Sequence, residues 1–374
     1  MRVALAGLAA LAVAMGIGRF AFTPILPMMQ QDLGLSVAAG GWLASANYAG
    51  YLAGALWAGA MRVDGARAIR AGLVAISLVT LAMGLTADFA AWALLRLVAG
   101  LASAWVLIHT SSWCLERLAP LGRPLLSGVL FAGVGKGLVL AGLVCVLLMA
   151  MHASSAAAWL VLGGLAAAIT ALVWRVFQPS HDKAGTSSVA DRWTWAQARL
   201  VLAYGGYGFG YIIPATFLPV MARQVVADPA VFGWAWPVFG AAAVASTLAV
   251  SLLSERYGSR AAWIGSQLTM AVGVAAPVFW PGIGGIVLSA LCVGGTFVVI
   301  TMVGIQEARI VAGRRAPRLI AAMTAAFAAG QIVGPLSVSA IVGAGGGFSA
   351  ALLIACFVLV ASAGALRKEE ERAG

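Results

Sequence analysis

Twelve stretches of about 20 apolar residues follow one another along this chain, near 3–29, 39–60, 68–87, 90–112, 124–150, 155–177, 198–222, 231–253, 261–280, 283–305, 317–343 and 347–366. A helix of that length covers about 30 Å, the thickness of a bilayer's hydrocarbon core. Within hydrocarbon every backbone N–H and C=O must be paired inside the protein, which leaves only helices or closed barrels. Barrel strands would read as segments of about 10 residues with alternating polarity, and the chain has none. Charge agrees, since 9% of its residues are charged against about 25% in a soluble domain. The expected fold is an all-α polytopic membrane protein with twelve transmembrane helices.

The net charge of +11 would fit a nucleic-acid partner if it formed a patch, but it is dispersed among loops. With the N-terminus inside, one set of loops carries 19 of the 23 Lys and Arg, and the opposite set carries Arg223 alone. The positive-inside rule then places both termini in the cytoplasm. No nucleic-acid partner is expected; the partners are the lipid bilayer and a small solute, and the protein is expected to be a monomer. The opening MRVALAGLAALAVA resembles a signal peptide, but its apolar stretch runs on through GIG and past Arg19, so it reads as a retained first span. Cys114, Cys145, Cys292 and Cys356 have no paired spacing and read as small buried hydrophobes. The three histidines form no metal cluster, and neither a metal nor a cofactor is expected.

The longest polar interruption, residues 178–197, splits the chain into six spans (1–177) and six more (198–374), and reads as a cytoplasmic linker. The halves repeat. Pro27 and Met29 recur as Pro219 and Met221, and Gly16 and Gly18 as Gly208 and Gly210, all at an offset of 192 residues. Asp64 and Glu255, like Glu116 and Glu307, are 191 apart. Parallel six-span repeats are the internal symmetry of one transporter architecture, whose substrate site lies near mid-membrane between the halves.

The loop LLSERYGSR (252–260) resembles the cytoplasmic signature G-x-L-a-D-R-x-G-R-R of the major facilitator superfamily (MFS), with Glu255 in place of Asp. Its first-half copy, GAMRVDGARAIR (59–70), keeps Asp64 and the basic residues without the standard glycine spacing. Arg96, Gly100 and Ala104 match the superfamily's R-x-x-x-G-x-x-x-[GA] pattern. GIGRFAFTPILP, NYAGYLAGAL, AGVGKG and GQIVGP together resemble the bacterial YbfB/YjiJ-like branch, and the resemblance covers essentially the whole chain. It implies two six-helix bundles, transport by alternating access, and a cytoplasmic gate built from Asp64, Arg67, Glu255, Arg256 and Arg260.

Arg19, Arg96 and Lys136 are the only Asp, Glu, Lys or Arg well inside spans. A charge at the bilayer centre costs about 2.5–3.5 kcal/mol on insertion scales, so such residues face a cavity or a partner. Three buried cations without a carboxylate would repel one another, and an anionic ligand would relieve that cost. Arg19 is therefore expected to contact a small organic anion, which a guanidinium binds through two parallel hydrogen bonds. Lys136, among Gly133, Gly135 and Gly137, is expected near the same anion, and Arg96 is a third candidate able to snorkel toward the outer surface. Asn47, Tyr51, Tyr207, Tyr211, Thr296 and Gln331 offer hydrogen bonds in spans expected to border the cavity. His109, Glu116 and Glu307 are the candidates for proton coupling.

A secondary or facilitative transporter of a small organic anion is thus the expected function. Efflux of amphipathic, drug-like compounds stays open, as does a non-transporting membrane receptor. No phosphate-binding G-x-x-x-x-G-K-[ST] loop and no nucleophile–base constellation is present, so no enzymatic activity is expected.

Overall fold

The computed structural model describes residues 1–60, 63–178, 193–225, 229–343 and 347–367. Residues 179–192, most of the expected linker, lie outside the described residues, as does the side chain of Glu255. The described residues form helices and turns, with no strand among them. In chain order the helices are α1 (Arg2–Leu33), α2 (Val37–Ala60), α3 (Gly65–Met83), α4 (Phe89–Leu118), α5 (Leu125–Ala150) and α6 (Ser155–Val173). There follow α7 (Trp195–Val225), then α8 (229–257) and α9 (259–279) within the single run Pro229–Phe279, and finally α10 (Ile283–Ala312), α11 (Ala316–Gly343) and α12 (Phe348–Arg367). These twelve helices coincide with the twelve expected spans. Among the described residues, ten helices are by length and composition apolar enough to cross a membrane.

Two local departures have clear causes. The signature 252–260, expected as a loop, is helical except at Gly258, whose φ of 80° and ψ of 156° break the run between α8 and α9; an L side chain is disfavoured at that φ. The first span is not a uniform α-helix. Ala12–Phe20 winds as a π-helix, and the α-helix resumes at Phe22. Side chains start the helices of the first half: Asp64 Oδ1 accepts from the Arg67 N–H at 2.8 Å and Asp88 Oδ1 from the Ala91 N–H at 2.7 Å. Each cap satisfies one of the N–H groups that a helix start leaves unpaired.

The chain divides into two compact units, residues 1–190 with 233–244, and residues 191–232 with 245–374. Inside the first, α1 runs through the interior, and every residue of Ala12–Phe20 is buried. Backbones meet directly where glycines line a crossing. A Cβ on Gly50 of α2 would lie 1.9 Å from the Leu97 carbonyl oxygen of α4, and one on Gly133 of α5 would lie 2.1 Å from the Leu8 carbonyl oxygen of α1. The second unit repeats the device, with Gly208 of α7 seated on the Phe327 carbonyl of α11. Small residues allow this approach where lipid tails supply no hydrophobic drive. Replacing Gly50 by Val is expected to destabilise the protein by about 1–3 kcal/mol, the cost of overpacking, read as a lower melting temperature in detergent.

Candidate functional site

The π-helix sets the geometry of the first unit's polar cluster. A π register pairs a carbonyl with the N–H five residues on. For Arg19 that residue is Pro24, which has no N–H. The donors come instead from α4. Arg96 Nη2 donates to the Arg19 carbonyl and Nη1 to the Gly18 carbonyl, both at 3.2 Å. The Ser103 hydroxyl lies 2.8 Å from the Ala14 carbonyl oxygen further along the same stretch. Arg96 is 3% exposed, and its guanidinium carbon sits 4.8 Å from the centre of the Phe22 ring. It does not snorkel outward, contrary to the expectation from its position in the span: two main-chain acceptors hold it inside the unit.

Arg19, also 3% exposed, turns toward aromatic rings. Its guanidinium carbon lies 3.9 Å from the centre of the Tyr51 ring, 5.3 Å from Phe20 and 5.8 Å from Tyr48. Phe20 packs edge-on against Trp236 at 6.3 Å, and Trp236 stacks flat on Phe239 at 5.5 Å. A desolvated cation–π contact contributes about 2 kcal/mol or more. It offsets part of the burial cost, but a neutral ring does not cancel the charge. Asn47, one helical turn before Tyr51 on α2, donates its Nδ2–H to the Arg96 carbonyl at 3.0 Å. The first unit thus brings together Arg19, Asn47, Tyr51 and Arg96, all anticipated. It adds Tyr48, Phe20 and Trp236, which were not. Tyr48 stands in the same NYAGY stretch as Asn47 and Tyr51, so that motif carried the signal.

Lys136 does not join them. Gly133 and Gly137 are spent on α1 and Gly135 on the 233–244 segment, where a Cβ would lie 2.6 Å from the Gly240 carbonyl oxygen. The helical rotation left over puts Lys136 on the exposed face of α5, with Leu125, Leu143 and Leu147. The expectation of three buried cations is therefore corrected to two.

In the second unit Tyr207 and Tyr211 are buried in an aromatic core. Tyr211 stacks on Phe297 at 5.4 Å, Tyr207 lies 4.9 Å from Phe327, and the Tyr207 hydroxyl donates to the Phe297 carbonyl at 2.7 Å. Gln331 is buried in α11. Thr296 is buried in α10 and spends its hydroxyl on the Cys292 carbonyl of its own helix at 2.6 Å.

The cytoplasmic signature residues divide between roles. Asp64 caps α3 through the Arg67 N–H, and the Arg67 side chain is exposed. Arg256 is exposed, with its guanidinium carbon 5.6 Å from the Tyr257 ring centre. Arg260 pairs with the buried carboxylate of Glu307 at 3.2 Å, and the Ser259 hydroxyl donates to the same carboxylate. Glu307 is thus joined to Arg260 of the signature. Its repeat partner Glu116 is exposed, and His109 is half-buried in α4. Among the described residues no group of three or more His, Cys, Asp or Glu is placed to hold a metal ion.

A family profile described as "Uncharacterised MFS-type transporter YbfB" matches residues 11–367. The chain belongs to this MFS-type transporter family. It is a multi-pass membrane protein, and its family and fold are those of a transporter. Among solved structures, the crystal structure of the human organic anion transporter MFSD10 (TETRAN) superposes on this YbfB-family chain with a TM-score of 0.77 at 14% identity, covering 98% of this chain and 99% of that one. That likeness shows the MFS fold. Among curated proteins, the gallate transporter of Pseudomonas putida is 29% identical over 214 residues, 56% of this chain. The matched region spans less than half of that relative, 47% of its length.

Proposed function

We propose that this YbfB-family protein is a secondary transporter that moves a small organic anion across a bacterial inner membrane by alternating access, with Arg19 as the anion contact. The bundles 1–177 and 198–374 are its two halves, joined by the cytoplasmic linker 178–197, with both termini in the cytoplasm. The observation that carries the reading is the charge of the first unit's interior. Two guanidinium groups, Arg19 and Arg96, are each 3% exposed, yet no Asp or Glu occurs between residues 33 and 63 or between 89 and 115. Arg96 is engaged with the Gly18 and Arg19 carbonyls. Arg19 lies against the rings of Tyr51, Phe20 and Tyr48, and its planar guanidinium is suited to a carboxylate through two parallel hydrogen bonds. The name of the Pseudomonas putida relative, a gallate transporter, supports the same class of solute, since gallate is an aromatic carboxylate.

Counterflow into proteoliposomes tests this directly. Benzoate and gallate are expected to exchange with labelled substrate, whereas the neutral analogue benzamide and the cation benzylamine are not. Equal exchange of benzamide would overturn the anion reading, and preference for benzylamine would favour efflux of amphipathic cations.

A further inference from the structure

We infer that the Arg19 site takes carboxylates whose ring carries a hydroxyl group, and that Asn47 is the residue that reads the hydroxyl. The inference rests on the anion reading above and extends it from charge to a second functional group. Asn47 is fully buried, at 0% exposure. The donor end of its amide is committed to the Arg96 carbonyl at 3.0 Å. The acceptor end, Oδ1, is buried and has no hydrogen-bond partner among the described residues. The Nε–H of Arg96, the residue to which Asn47 is tied, is likewise buried and without an acceptor. Buried polar atoms left in this condition are destabilising and uncommon.

Asn47 lies beside the anion contact. Asn47 and Tyr51 are four residues apart on α2, so their side chains share one face with Cβ atoms about 5–6 Å apart. Tyr51 is the ring closest to the Arg19 guanidinium.

The chemistry of Oδ1 selects the group that fits it. A carboxylate only accepts hydrogen bonds, so it satisfies Arg19 but never Asn47 Oδ1. A hydroxyl both donates and accepts, so it answers Asn47 Oδ1 with its proton, which a carboxylate or an ether cannot do. An unsubstituted ring offers no such proton. The rings of Phe20, Tyr48, Tyr51 and Trp236 around this position favour a flat aromatic body between the two polar ends.

Binding of three probes to the purified full-length protein, measured by isothermal titration, tests the assignment. The probes are benzoate, 4-hydroxybenzoate and 4-methoxybenzoate; the ether keeps the oxygen and loses the proton. 4-Hydroxybenzoate is expected to bind about tenfold more tightly than either of the others, the scale of one hydrogen bond made rather than lost. In Asn47→Ala that tenfold difference is expected to disappear. Equal binding of the three probes by the wild-type protein would overturn the inference, with water as the partner of Asn47, and would leave the anion reading standing. If none of the three binds, the anion reading falls and this inference with it. Should Asn47→Ala fail to fold, the hydroxyl-against-ether comparison on the wild-type protein decides alone.

Discussion

Arg19→Gln is expected to lower anion uptake by about 100-fold or more while leaving the melting temperature of the protein unchanged or raised. The loss corresponds to two charge-assisted hydrogen bonds to a carboxylate, about 1.5–3 kcal/mol each. The stability should not fall, because the substitution removes a permanent charge from a position 3% exposed, where burying it costs about 2.5–3.5 kcal/mol. Arg19→Lys keeps the charge but not the planar fork, and is expected to retain a small part of the uptake. Uptake into proteoliposomes, paired with thermal unfolding in detergent, separates the two effects. Uptake by Arg19→Gln at the wild-type rate would remove Arg19 from the site.

Arg96 should give a different signature. Arg96→Met removes one donor each from the Gly18 and Arg19 carbonyls, and for Arg19 no backbone N–H at Pro24 is available to replace it in the π register. A buried carbonyl left without a donor costs about 1–3 kcal/mol, and both substitutions remove one buried charge, so Arg96→Met is expected to be less stable than Arg19→Gln by about 1–3 kcal/mol. Thermal or denaturant unfolding in detergent measures it. Equal stability of the two variants would mean that the Arg19 carbonyl finds another donor. Two arginines alike in burial and charge thus differ in one respect: Arg96 donates to the Gly18 and Arg19 main-chain oxygens, whereas Arg19 packs against the Tyr51 ring.

Much of the architecture was legible in the sequence because membrane insertion imposes simple rules. The length of the apolar runs located all twelve helices, while the cap that Asp64 makes on α3 was not anticipated. Arg19, Asn47 and Tyr51 were legible as a group, since polar and charged residues are too costly in hydrocarbon to occur without a role. What escaped depends on helical rotation and register. Gly133, Gly135 and Gly137 pointed to room around Lys136, yet each glycine is spent on a neighbouring helix, and the remaining face is the exposed one. The leucines at 125, 143 and 147, recurring at helical spacing with Lys136, were the signal to weigh against burial. The π-helix escaped because apolar periodicity presumes 3.6 residues per turn. Gly16, Gly18 and Pro24 marked the stretch without saying how it would wind. Trp236 escaped for another reason: its contact with Phe20 joins residues 216 positions apart, which no local pattern reveals.

The complete enclosure of Ala12–Phe20 limits how selection can retune this protein. Nine successive positions have neighbours on every side, so a larger residue at Ala12, Ala14 or Gly16 would displace an adjoining backbone or ring before it touched a solute. Tyr48 and Trp236 keep part of their surface open. Divergence among descendants toward new solutes should accumulate at those two rings, while the winding core beneath them drifts little.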